Sequence, residues 1–169
     1  LFPDMWIIIN IIQSILIITH TLLCTILALI PALFGLPKAS YWVGRKIWGP
    51  ILLLLVGGKL IIKGKENIDP NKTYIYAANH MSNFDIPILF TITSVSLHFI
   101  AKKELKKIPL FGWCIAAMGM IFVDRKNRIK SIESMKAAGE LIKSGKTVIA
   151  FPEGKRSRSG KIEMFRKGT

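Results

Sequence analysis

The sequence predicts an α/β fold: a mixed, largely parallel sheet flanked by helices, preceded by a membrane-embedded helical segment. Three observations carry this expectation. Short segments rich in β-branched and aromatic residues alternate with helical stretches from about position 59 onward. Positions 5–37 contain no Lys, Arg, Asp or Glu at all. All 24 Lys and Arg lie at position 38 or later, so a chain that is 51% hydrophobic with a net charge of +14 is sharply segregated. At 169 residues it is long enough to bury one core.

The first segment, 1–37, exceeds the roughly 20 helical residues that cross a hydrocarbon core. Pro31, Gly35 and Pro37 are placed to break or end its helix, and Asn10, Gln13, Ser14, Thr19, His20 and Thr21 dilute its hydrophobicity. One tilted span and a re-entrant pair of helices both fit. No basic residue precedes the apolar run, which argues against a secretory signal peptide. Lys38, Arg45 and Lys46 follow directly, and by the positive-inside tendency the C-terminal part faces the cytoplasm. A bacterial inner membrane is the expectation, on compactness alone.

Residues 38–58 read as a basic connector holding a short apolar patch, Ile51–Val56, set between Gly49-Pro50 and Gly57-Gly58. The patch is either an interfacial helix or a buried core element. Residues 59–169 form the third unit. Its expected strands are Leu60–Lys63, Thr73–Ala78, Ser96–Ala101, Met120–Val123 and Thr147–Phe151. Ile129, Ile132, Met135, Ala138 and Ile142 mark one face of a helix from about Asn127 to Ser144, with Gly145 placed to end it. Strands alternating with helices argue for parallel pairing. The chain ends on a loop, which predicts a domain incomplete at its C-terminus. Cys24 and Cys114 form neither a disulfide framework nor a metal-binding spacing.

Three blocks carry chemistry, each where an expected strand runs out. The first is Asn79-His80-Met81-Ser82-Asn83-Phe84-Asp85. Histidine is the usual general base near neutral pH. A carboxylate bonded to its other ring nitrogen fixes the tautomer and stabilises the imidazolium that forms. Asp85 can reach back to His80 across a turn, and such a pair activates an alcohol without a covalent intermediate. By itself this is a weak motif, since a turn histidine capped by a nearby aspartate is commoner. Ser82 is read as shaping the turn rather than as a nucleophile. The second block, Gly119 to Arg125, ends a strand in Asp124-Arg125, and arginine's planar fork suits a phosphate. The third, Phe151-Pro152-Glu153-Gly154-Lys155-Arg156-Ser157-Arg158, is a dense cationic loop in which Gly154 allows close backbone approach. A surface ion pair and a solvated basic turn are the ordinary readings of these two blocks taken singly.

All three blocks, in this order, resemble the glycerophospholipid acyltransferase family, which includes lysophosphatidic acid acyltransferases. The resemblance extends to Ala101-Lys102-Lys103-Glu104-Leu105, to Ile108 through Trp113, and to Phe165-Arg166-Lys167-Gly168, covering roughly 60–168. It implies the glycerolipid acyltransferase type of fold and a catalytic His80–Asp85 pair. The histidine would deprotonate the acceptor hydroxyl, which attacks the thioester of acyl-coenzyme A or acyl carrier protein. It further implies glycerol phosphate binding by Arg125, Glu153, Gly154 and Arg156; Lys155 and Arg158 are read, from the cationic loop itself, as additional phosphate contacts. Neither a metal nor a prosthetic group is expected. Two departures stand out: Lys155 replaces the threonine of the family's Glu-Gly-Thr-Arg, and a fourth, proline-containing block is not within the chain.

The expected partners are membrane lipids, lysophosphatidic acid and the acyl donor, and the expected product is phosphatidic acid. Glycerol 3-phosphate or another lysophospholipid is the alternative acceptor. A non-catalytic lipid-binding protein is the alternative outside enzymes. Nucleic acid is set aside, because a long apolar N-terminus accompanies the basic charge and no base-reading module is recognisable. Lys102, Lys103, Lys106 and Lys107, followed by Phe111 and Trp113, read as a face resting on anionic headgroups. His98 in its apolar strand reads as a satisfied core residue.

Overall fold

The computed structural model describes residues 3–69, 71–124 and 127–165. The apolar N-terminal run folds as one 31-residue helix, α1 (Pro3–Leu33), with Pro31 accommodated in its last turn. Gly35 adopts φ +71, a conformation open to glycine, and reverses the chain. A second helical rod follows, made of α2 (Pro37–Val43), a π-helical turn (Gly44–Trp48) and α3 (Gly49–Leu55). Pro37 and Pro50 sit at the first positions of α2 and α3, where a missing N–H is tolerated.

The rod runs antiparallel to α1. Gln13 Nε2 donates to the Leu55 carbonyl, His20 Nε2 lies 3.3 Å from the Trp48 carbonyl, and Ser40 Oγ donates to the Ala28 carbonyl. The stretch expected to be a connector is therefore the return arm of a helical hairpin. Its Gly44 and Gly49 lie against a later helix, α4 (Asp85–Ile92): a Cβ on Gly44 would come within 2.8 Å of Phe90, and one on Gly49 within 2.6 Å of the Pro87 carbonyl.

The sheet has four strands, β1 (Ile75–Ala77), β2 (Leu97–Lys102), β3 (Ile121–Val123) and β4 (Thr147–Ala150), in the order β1-β4-β2-β3. All three pairings are parallel, with Tyr76 opposite Ile149, Phe99 opposite Ile149 and Ala101 opposite Phe122. The fold is thus α/β as the alternation predicts, with no antiparallel pairing among the described residues.

Helices cover both faces, as parallel sheets require. On one face α6 (Arg128–Lys143) packs Ala138, Leu141 and Ile142 over Ile121 and Val148. On the other, α1, α2, α4 and α5 (Phe111–Ala117) enclose a larger core that includes Phe90, Leu97, Phe99, Cys114, Met118 and Ile149. The helix expected from about Asn127 to Ser144 forms as α6. Asn127 caps it by accepting from the Lys130 N–H, and Gly145, at φ +83, ends it.

One expected strand does not form. Residues 60–63 have no ladder partner among the described residues, and Ile61 and Ile62 stay exposed outside both cores. Between β2 and α5, a 3₁₀ turn (Lys103–Lys107) leads to a γ-turn at Leu110, with φ +60 and the Phe111 N–H donating to the Pro109 carbonyl.

Candidate active site

Parallel α/β sheets present their ligands with the carboxyl ends of their strands. That edge here collects His80 after β1, Lys102 at the end of β2, Asp124 after β3 and the loop 151–158 after β4. Arg125, the anion-binding candidate of the second block, lies outside the described residues.

His80 and Asp85 come together across the turn that opens α4. The imidazole Nδ1 lies 2.6 Å from Asp85 Oδ2. The same oxygen accepts the backbone N–H groups of Met81 at 2.8 Å and Ser82 at 3.0 Å. One carboxylate oxygen therefore gathers three donors, and its position at the start of α4 favours negative charge. Ser82 Oγ accepts from the Phe84 N–H, so its hydroxyl braces the turn. The imidazole stacks on Phe151, centroids 4.2 Å apart and planes 22° from parallel. With the ring plane and Nδ1 both fixed, Nε2 is the ring nitrogen without a hydrogen bond among the described residues.

The backbone of His80 is held as firmly. Its N–H donates to Glu153 Oε1 at 3.0 Å, and its carbonyl accepts from the Ser157 N–H at 2.8 Å. Glu153 is fully buried and gives its other oxygen to the Glu163 N–H. A carboxylate so placed is spent on backbone amides and is not offered to a ligand. Gly154 turns the loop at φ +68, with its N–H donating to the Phe151 carbonyl at 2.9 Å. Lys155 reaches Glu163 at 2.8 Å, and neither Lys155 nor Arg158 lines the pocket described next. Arg156 does line it, with Nη1 donating to Asn83 Oδ1 at 3.0 Å.

A cavity of about 380 Å³ opens at this site. Its polar mouth holds His80, Asn83, Lys102 and Arg156, and its walls reach Cys24 and Ala28 on α1. Trp48, Phe90, Phe99 and Met118 line it between. A volume in the range of small-ligand sites, with apolar walls and a cationic mouth, suits an amphiphile with an anionic head. Cys114, which also lines it, is no nucleophile: burial pushes its thiol up to about 11, so it stays protonated at neutral pH.

Sequence reasoning placed His80, Asp85 and Arg156 where the structure brings them together. It missed two residues at the pocket mouth, Asn83 and Lys102. Lys102 belonged to a lysine run, and only its position as the last residue of β2 distinguishes it from its neighbours. Lys103, next in the run, is paired with Asp124, whose carboxylate raises the lysine's pKa. His98 is buried in β2 with Nδ1 3.2 Å from the Thr147 carbonyl, a satisfied core histidine.

Comparisons with known proteins point the same way. A family model described as Acyltransferase matches residues 59–169. Over 151 residues the chain is 33% identical to the 1-acyl-sn-glycerol-3-phosphate acyltransferase of Saccharomyces cerevisiae, covering 88% of this chain and 47% of that protein. It is 35% identical over 124 residues to a chloroplastic protein of the same name from Arabidopsis thaliana, covering 73% and 34%. A Borreliella burgdorferi protein of that name is 33% identical over 120 residues, covering 70% and 48%. The chain thus spans half or less of the length of these relatives. The crystal structure of the 1-acyl-sn-glycerophosphate (LPA) acyltransferase, PlsC, from Thermotoga maritima superposes with a TM-score of 0.73 at 29% identity, covering 94% of this chain and 68% of that one.

Proposed function

This chain belongs to the acyltransferase family, and on that premise we propose that it transfers a fatty acyl group from a thioester to the sn-2 hydroxyl of lysophosphatidic acid, giving phosphatidic acid. The observation that carries the reading is the His80–Asp85 pair, 2.6 Å apart at the mouth of an apolar pocket beside Arg156. The relatives named for this reaction support the choice of acceptor. The donor is acyl-coenzyme A or acyl carrier protein.

His80 acts through Nε2, since Nδ1 donates to Asp85. As the acceptor hydroxyl oxygen attacks the thioester carbonyl, its proton passes to Nε2, and Asp85 stabilises the imidazolium. Collapse of the tetrahedral intermediate breaks the carbon–sulfur bond, and the departing thiolate takes the proton back. Arg156 holds the acceptor's phosphate at the mouth while the acyl chain lies along the apolar walls. Lys102 and Arg125 are the further groups we assign to the phosphate, whose doubly charged head matches clustered cations.

The hairpin is the membrane anchor in this reading. Helix α1 is long and apolar enough to cross a membrane, and only 28% of its most apolar window is buried within the protein. Trp42 on α2, and Ile108 and Trp113 beside the lysines of the 3₁₀ turn, are also exposed. Such a surface suits the headgroup boundary, so that a lipid acceptor reaches His80 from the leaflet. We place the catalytic part on the cytoplasmic side, and a bacterial inner membrane remains our reading on compactness.

The test follows labelled acyl transfer to lysophosphatidic acid in membranes bearing the protein, with His80→Ala and lysophosphatidylcholine as controls. Phosphatidic acid formed by the wild type and lost in the variant is the expected result. If neither coenzyme A nor carrier-protein thioesters acylate any lipid acceptor, the enzyme reading fails.

A further inference from the structure

The turn between His80 and Asp85 ties three of its polar side chains to itself. His80 and Asp85 bond each other, and Ser82 braces the Phe84 N–H. Asn83 is different. Its amide oxygen reaches out of the turn, 73 residues along the chain, to accept from Arg156 Nη1 at 3.0 Å. Both residues are exposed, and both line the pocket mouth with His80.

The chemistry of that partner matters. Lys155, beside Arg156, is matched by the Glu163 carboxylate, and Lys103, next to Lys102 in the chain, is matched by Asp124. Arg156 has no carboxylate within ion-pair distance among the described residues; its side-chain partner is a neutral amide. An amide oxygen orients a guanidinium without offsetting its charge. It occupies one N–H donor and leaves four for an anion. An exposed arginine without it samples many rotamers, and ordering them on binding weakens affinity. The backbone completes the arrangement: the Ser157 N–H bonds the His80 carbonyl, which fixes the loop bearing Arg156 beside the turn bearing Asn83.

We propose that Asn83 is a positioning residue for the acceptor: as a neutral hydrogen-bond acceptor it holds the Arg156 guanidinium, fully charged, at the pocket mouth for a phosphomonoester. This rests on the reading that Arg156 binds the acceptor's phosphate. Asn83 touches neither the reacting hydroxyl nor the thioester, so its effect falls on KM rather than kcat.

The test is a double-mutant cycle on the membrane-bound protein, measuring kcat and KM for lysophosphatidic acid in Asn83→Ala, Asn83→Asp, Arg156→Ala and the Asn83→Ala/Arg156→Ala pair. Asn83→Ala is expected to raise KM about fivefold with kcat held within about twofold, the loss of one charge-assisted hydrogen bond and its preorganisation. Asn83→Asp should raise KM further, since its carboxylate competes with the phosphate for Arg156. In the Arg156→Ala background, Asn83→Ala should add nothing. An unchanged KM in Arg156→Ala would overturn the reading of Arg156 and this proposal with it. A raised KM there, with Asn83→Ala at the wild-type KM or with the two effects multiplying in the pair, overturns the proposal alone. Wild-type KM in Asn83→Asp overturns the requirement for a neutral partner. Position 83 is exposed, and the thermal midpoint of each variant checks that the fold is kept.

Discussion

Asp85 concentrates three donors on one oxygen, and this arrangement separates its charge from its geometry. In Asp85→Asn an amide oxygen at the same place still accepts from His80 Nδ1, Met81 N and Ser82 N, so the turn persists while the negative charge is gone. We expect kcat for acyl transfer to fall about 100-fold, the order of a general acid–base contribution, with little change in thermal midpoint. Asp85→Ala strips the acceptor from two backbone amides as well and should also destabilise the fold by about 1–3 kcal/mol. A midpoint that drops equally in both variants would mean that the charge is structural. His98 offers a contrasting pH effect. Burial, aided by the nearby Lys146, holds its pKa below the ordinary histidine value of about 6.5. The folded chain keeps the ring neutral, while the unfolded chain takes a proton as pH falls through about 6.5. Stability should therefore be full above that value and decline below it, down to the lowered folded pKa. Melting in detergent between about pH 7.5 and pH 5.5 should show this slope, and His98→Gln should flatten it. At this scale the sequence revealed His80 and Asp85, which are close in the chain and sit at a strand end. It could not reveal that Glu153 turns inward to two backbone amides, or that Asn83 meets Arg156, because both facts depend on contacts between distant segments.

Elements were legible where their signals are local. Asn127 and Gly145 bracket α6 because a side-chain cap and a left-handed stop act on their own neighbours. The strand expected at 60–63 failed for the opposite reason: β-propensity measures fit to a pleated surface, and no strand among the described residues pairs with this backbone. The return arm of the hairpin was hidden by its glycines and Pro50, which look like breakers. In the structure Gly44 and Gly49 are contact points, and the π-helical turn between α2 and α3 absorbs the register change ahead of Pro50. Gly49→Ala tests this. Its new methyl would meet Thr91 Oγ1 and, at 2.6 Å, the Pro87 carbonyl, and the backbone carbonyl cannot swing aside. We expect a loss of about 1–3 kcal/mol in stability, as for overpacking elsewhere. Gly139→Ala, with nothing within 4 Å of the added Cβ, should be neutral or slightly stabilising. Comparable thermal midpoints for the two variants would refute a tight crossing of the hairpin on α4.

The whole molecule joins two chemistries that the sequence keeps apart. The carboxyl edge of the sheet supplies His80 and the cations, and the hairpin supplies apolar wall, so one pocket runs from His80 to Cys24 and Ala28. Charge segregation along the chain thus becomes polarity along the pocket. In the proposed reaction the thioester carbonyl lies at His80, and a donor chain extending from it runs along the pocket walls toward the hairpin. Ala28, on α1, is buried and its carbonyl accepts from Ser40, so its position is fixed and its small side chain sets the room available. Ala28→Leu adds three carbons there. It should lower kcat/KM for a palmitoyl donor about tenfold relative to an octanoyl donor, within the range that a pocket discriminates by one or more methylenes. An equal fall for both donors would mean that the substitution disturbs the site rather than the depth of the pocket. Discrimination among acceptors of different chain length, with the donors unaffected, would assign the same walls to the chain of the lysophospholipid.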